Sequence, residues 1–126
     1  MARCPIVRPD VKRLDLTDGD FLDVKKRLNT GEYRSMVTKQ YQTSGDRMSI
    51  NLDQMGLSKV IAYVVGWSFV DLSGAPLPVN EQTIKASDPD VFREVLEAVE
   101  GHEAAMDAER EQEKNAKAGM SLSAAI

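Results

Sequence analysis

The sequence predicts an α+β fold: a small N-terminal β-hairpin and a second short hairpin at a Trp67 corner, packed on a buried central helix and a long C-terminal helix. Three observations predict it. The dipeptide Asp18-Gly19 sits between the alternating segments "VKRLDL" and "FLDVKKRL", a strong local hairpin signal because Asp and Gly tolerate the positive φ of a type I′ turn. The stretch "INLDQMGLSKVIAYVVGW" is apolar on nearly every face, as a buried element must be. "SDPD" then opens a run whose apolar residues recur at helical spacing. At 126 residues the chain matches one domain, the usual range being roughly 100–150 residues. We divide it into a globular part, 1–106, and a polar helical extension with a flexible C-terminal tail, 107–126.

Taken in order, residues 1–10 hold two prolines and no periodicity and read as an irregular lead-in. In the second arm of the first hairpin, Leu22, Val24 and Leu28 can line one face while Asp23, Lys25 and Arg27 line the other. "NTGEYRSMVTKQYQTSGD" starts a short helix. Asn29 or Thr30 can accept its free amides, and Glu32 places negative charge in the first turn. Tyr33, Met36, Val37 and Tyr41 fall at helical spacing, and "TSGD" reads as a stop and loop.

The segment "VIAYVV" suits a buried strand as well as a helix. Its length and the spacing of Leu57, Ile61 and Val64 favour helix, with Gly66 as its end. "WSFVDL" then alternates Trp67, Phe69 and Asp71 against Ser68, Val70 and Leu72. Ser73-Gly74 turn the chain, and Pro76 and Pro78, which lack N–H donors, confine the returning arm to a sheet edge. Asn80 caps one short helical turn. Ser87 or Asp88 caps the last helix, with Pro89 at its first position. Val91, Phe92, Val95, Leu96 and Val99 form its apolar stripe, which fades after Gly101. Trp67, Phe69, Val95, Leu96 and Val99 are expected in one core.

Composition narrows the function classes. The chain is 42% apolar and 29% charged, with a net charge of −4, which argues against a phosphate backbone as partner. The basic run "VKKRL" is too short for a nucleic-acid footprint without interleaved aromatics. The longest apolar run, "VIAYVVGW", is eight residues, against the roughly twenty that span a bilayer. The N-terminus lacks the apolar core of a signal peptide. These features point to a cytosolic protein.

Catalytic and metal-binding chemistry is sparse. Cys4 is the only cysteine and has no partner for a disulfide or zinc site. No Gly-rich phosphate loop, nucleophile elbow or H-E-x-x-H is present. His102, flanked by Glu100 and Glu103, reads as a solvated surface histidine. Asp15, Asp18, Asp20 and Asp23 lack the loop pattern of a calcium site and read as turn chemistry. We therefore expect no enzymatic activity, no metal and no cofactor.

Three segments in this order, "DGDFLDVKKRLNTGEYRSM", "VVGWSFVDLSGAPLPV" and "DPDVFREVLEAVEGHEAAM", resemble tail assembly chaperones of long-tailed bacteriophages. The resemblance spans roughly residues 14–106. It rests on the Asp-Gly hairpin leading into "KRLNTGE" and on a Trp followed by a Gly/Pro turn. It implies a non-enzymatic protein of the host cell cytoplasm that binds the tape measure protein, keeps it soluble, supports tail tube assembly with other tail proteins and is absent from the mature virion. It supplies no catalytic or ligand residues. The alternative is a virion structural protein, a connector or minor tail component. A chaperone for a helical client needs an adaptable arm, so Met106, Met120, Leu122 and Ile126 are the candidate partner-binding residues, for the client or for self-association.

Overall fold

A computed structural model describes the backbone of residues 2–44, 47–50 and 52–125, and the side chains of 2–40 and 55–116. Strands β1 (Val11–Asp15) and β2 (Phe21–Lys25) form the expected antiparallel hairpin, with Leu14 opposite Leu22. Asp18 and Gly19 have φ of 56° and 81°, and the Asp20 amide donates to the Thr17 carbonyl, the geometry of a type I′ turn. Leu22 and Val24 are fully buried. On the opposite face Arg13 bonds its register partner Asp23 through two nitrogens, at 2.9 and 3.3 Å, and lies 3.8 Å over the Phe21 ring.

Helix α1 (Thr30–Gln40) starts on a reciprocal cap. The Glu32 amide donates to Asn29 Oδ1 at 2.8 Å, and the Asn29 amide to Glu32 Oε1 at 3.0 Å. Glu32 also pairs with Lys25. Together, Lys25 first and the Asn29 amide second, these donors hold the Glu32 carboxyl below its ordinary value. The helix ends sooner than expected. Tyr41, placed by its spacing on the helical stripe, instead begins β3 (Tyr41–Ser44), which pairs antiparallel with β4 (Arg47–Ile50). Thr43 and Ser44 are therefore ladder residues rather than loop. The physical reason is that Tyr41–Ser44 finds ladder partners in Arg47–Ile50, which helical spacing cannot reveal; Gly45 and Asp46, read as part of the same loop, lie outside the described residues.

Helix α2 (Leu52–Tyr63) is followed without a break by β5 (Val64–Trp67). The expected helix through Gly66 is thus corrected: it stops at Tyr63, and Val64 and Gly66 lie in a strand. β5 pairs antiparallel with β2, Leu22 facing Trp67 and Val24 facing Val64, giving the sheet order β1-β2-β5. The second edge of β2 offered ladder partners that no local periodicity could reveal, and two β-branched valines suit them. The buried cluster joins Leu22 and Val24 of the sheet to Met36 of α1 and to Leu57 and Val60 of α2.

The Trp67 corner is the short second hairpin in a sparse form: the Leu77 amide donates to the Phe69 carbonyl and the Asp71 amide to that of Ala75. A single bridge, Val70 to Pro76, closes it, because the two prolines remove ladder donors. Trp67 Nε1 donates to the Leu77 carbonyl at 2.9 Å, and its ring lies 5.3 Å from that of Phe69. Asp71 is the only carboxylate of residues 64–79, and it organises the loop. Its Oδ1 accepts from the amides of Ser73 and Ala75 and from the Ser73 hydroxyl. Ser73 above all, then these amides, hold the Asp71 carboxyl low. Gly74 takes φ +87°, where a side chain would be strained. Leu72 is fully exposed at the tip.

Asn80 caps α3 (Glu81–Ala86), its Oδ1 accepting from the Thr83 amide at 2.8 Å. Asp88 rather than Ser87 caps α4 (Pro89–Ala125), bonding the Asp90 amide at 2.8 Å. Val95 and Val99 are buried, with Trp67, Phe69, Phe92 and Leu96 packed against the same cluster. Val91 departs from the expected stripe and is exposed. Helices α2 and α4 approach closely where Gly56 leaves room: a Cβ there would sit 3.0 Å from Leu96 Cδ2. The backbone of α4 is helical through Ala125, with no break at 106/107.

Candidate functional site

The residues best able to do chemistry are engaged structurally. The Ser68 hydroxyl donates to Asp20 at 2.8 Å and Asp23 pairs with Arg13. Among the described residues no group of three or more His, Cys, Asp or Glu side chains is placed to hold a metal ion. Cys4 is exposed.

His102 overturns its sequence reading. It is 3% exposed, not solvated. Its Nε2 lies 3.0 Å from the Lys25 carbonyl oxygen and 3.1 Å from that of Lys26. Carbonyls only accept, so Nε2 carries the proton and donates. Nδ1 is buried without a partner among the described residues. The ring packs edge-on against Tyr63, 5.9 Å between centroids at 86°. Sequence did carry the signal: Val95, Val99, His102 and Met106 follow the 4-3-4 spacing of one helix face. The stripe continues past Gly101 with a histidine in an apolar slot.

Beyond His102 a groove of about 650 Å³ opens between α1, α2 and α4. Three methionines, Met36, Met55 and Met106, line it, with the rings of Tyr33 and Tyr63. Cations from separate elements ring it: Lys26 and Arg27 after β2, Arg34 on α1, Lys59 on α2, and Arg110 on α4. Glu103 and Asp107 are the carboxylates of the lining. Lys59 is 3.2 Å from Glu103, and Arg27 reaches Glu109 and Glu113 at 3.7 and 3.8 Å. Lys26, Arg34 and Arg110 have no carboxylate at ion-pair distance among the described residues.

Burial first, then Glu103 and Asp107, push the Tyr63 phenol up to about 12. The neutral phenol is therefore favoured by folding. This contribution is fully present below pH 10, the unfolded value, and is lost as pH rises through about 12. An alkaline absorbance titration is expected to show a late-ionising tyrosine that Tyr63→Phe removes; a titration unchanged by that substitution would contradict the burial of this ring.

A second, smaller cleft of about 150 Å³ lies at the Trp67 corner, lined by Trp67, Phe69, Leu77, Ile84 and Phe92. Val70 and Val91 stand exposed beside it. Of the four sequence-predicted partner residues, Met106 is half-buried in the groove. The side chains of Met120, Leu122 and Ile126 lie outside the described residues. The groove itself escaped the sequence reading. Its cations come from elements far apart in the chain, and Lys26 and Arg27 alone look like a short basic strand.

No described helix is long and apolar enough to cross a membrane. Comparison of the chain with protein-family models, with curated proteins and with solved structures finds no match.

Proposed function

We propose that this protein is a non-enzymatic assembly chaperone that holds a long helical client, the tape measure protein of a phage tail, during tail tube assembly in the host cytoplasm. The observation that carries this reading is the length of α4 beyond its core. His102 is the last buried side chain of that helix among the described residues, and every described side chain from Asp107 to Ala116 is exposed. Helical backbone nevertheless continues to Ala125, roughly 30 Å past Met106 at 1.5 Å per residue. An amphipathic client helix needs such a long, adaptable surface, and it needs no catalytic group. The order of the Asp-Gly hairpin, Trp-Gly/Pro corner and Asp-Pro-capped helix, which resembles tail assembly chaperones, supports the same reading.

Deleting residues 107–126 tests it. Little apolar surface is removed with the exposed part of this segment, so the melting temperature is expected to move by no more than about 2 °C. Co-purification of the co-expressed tape measure protein is expected to fall sharply. Retention of the client by the deletion variant would place binding elsewhere on the body. Presence of the protein in purified particles, detected by mass spectrometry, would replace the chaperone reading with a structural one.

A further inference from the structure

We infer that the methionine-lined groove between α1, α2 and α4 is a docking site for an acidic amphipathic helix of a partner protein, its apolar face seated on Met36, Met55 and Met106 and its carboxylates met by Lys26, Arg34 and Arg110. This rests on the reading of the protein as a binder of helical clients and assigns the client's chemistry.

The floor comes first. Methionine is unbranched and polarisable, so a surface rich in it can repack around different apolar side chains. Met36 is buried, while Met55 and Met106 are half-buried, so the last two present thioether surface to an occupant. Tyr33, 56% exposed, adds aromatic area on the α1 side. The groove, about 650 Å³, is open along the side where α1, α2 and α4 meet.

Charge selects the occupant. The chain as a whole is acidic, at −4, yet the groove gathers five cationic side chains against two carboxylates. Internal pairing takes up Lys59 and Arg27 and leaves Lys26, Arg34 and Arg110 without a described carboxylate partner. These three side chains are exposed, so they can reach a ligand at little desolvation cost. A basic or neutral helix would bring nothing to them, and a basic one would be repelled. The chain's own α4 extension is a poor candidate in a second copy, because Glu109 and Glu113 already face Arg27. An acidic helix from outside answers both features of the groove.

The test uses the full-length protein and two labelled synthetic helical peptides with the same Leu/Met stripe, one with glutamates on its polar face and one with lysines. Fluorescence anisotropy is expected to show the acidic peptide binding at least about tenfold more tightly, an advantage that shrinks as salt screens the charges. The double variant Lys26→Glu/Arg34→Glu is expected to reverse the preference. Both positions are exposed, and an unchanged circular dichroism spectrum and melting temperature would show that its fold is intact. Equal binding of the two peptides, or an unaltered preference in the double variant, overturns the proposal. So does a wild-type dimer on a sizing column that the double variant splits, since a second copy would then be the occupant. The chaperone reading fails separately. If the double variant keeps the tape measure protein and the 107–126 deletion loses it, the client does not seat in the groove and the chaperone stands. If wild type holds no such client while the peptide preference persists, the groove stands as an acidic-helix site and the chaperone reading falls.

Discussion

Leu22→Ala is expected to destabilise the domain by about 2–5 kcal/mol, the range of large-to-small changes at well-packed sites. Leu22 is 0% exposed and sits on β2, the central strand, between Leu14 of β1 and Trp67 of β5. Its side chain belongs to the cluster that includes Val60 of α2 and Val99 of α4. Truncation removes apolar contacts in that cluster and leaves a cavity that neighbours on two strands and two helices can fill only by moving together. A domain of this kind has about 5–15 kcal/mol in total, so the loss is a large share and the melting temperature should drop by many degrees. Phe69 and Leu96, expected in one core with Val95 and Val99, pack against that cluster but are only partly buried, and their truncations are expected to cost less than that of Leu22. Leu72→Ala, at the exposed tip of the Trp67 corner, is the control and should stay within about 0.5 kcal/mol of wild type. Denaturant melts of these variants decide the matter. If Leu22→Ala resembled Leu72→Ala, β2 would not be the centre of the sheet.

The parts of the fold that were legible in the sequence are those decided by chemistry within a few residues. Asp18-Gly19 meets the positive φ of its turn, Asn29 and Glu32 cap each other, Asn80 and Asp88 cap their helices, and each can be seen from its own neighbourhood. What failed was decided at a distance. Val64 and Val65 continue a helical pattern perfectly well, and only the open edge of β2 makes them a strand. Tyr41 continues the spacing of α1, and pairing with Ile50 takes it away. The groove is a stronger case, since Lys26, Arg34, Lys59 and Arg110 are scattered over more than eighty positions of chain and meet only through the packing of three helices. A basic site assembled in this way leaves no run of charge to read.

His102→Ala is expected to cost about 2–4 kcal/mol, an effect unthinkable for the solvated residue its flanking glutamates suggest. Two part-buried carbonyls, of Lys25 and Lys26, lose their shared Nε2 donor, and an unsatisfied buried polar group costs about 1–3 kcal/mol. The edge-on contact with Tyr63 goes as well, leaving a space in the last turns of α4 that face the body. His102→Gln is expected to recover part of the loss, because its amide N–H₂ can donate to the same carbonyls while its smaller, non-aromatic side chain leaves the Tyr63 contact unmade. His102→Leu fills space without donating and should fall below the glutamine variant. A pure packing role would reverse that order, and a surface role would leave all three within about 0.5 kcal/mol of wild type. The site also matters beyond stability. Met106 stands one turn further along α4, on the same face, and the bond from His102 ties that face to the chain at Lys25 and Lys26, beside the groove that Lys26 and Met106 line. Anisotropy titrations on the alanine variant, run well below its melting temperature, should therefore show weaker binding of the acidic peptide even while the domain remains folded.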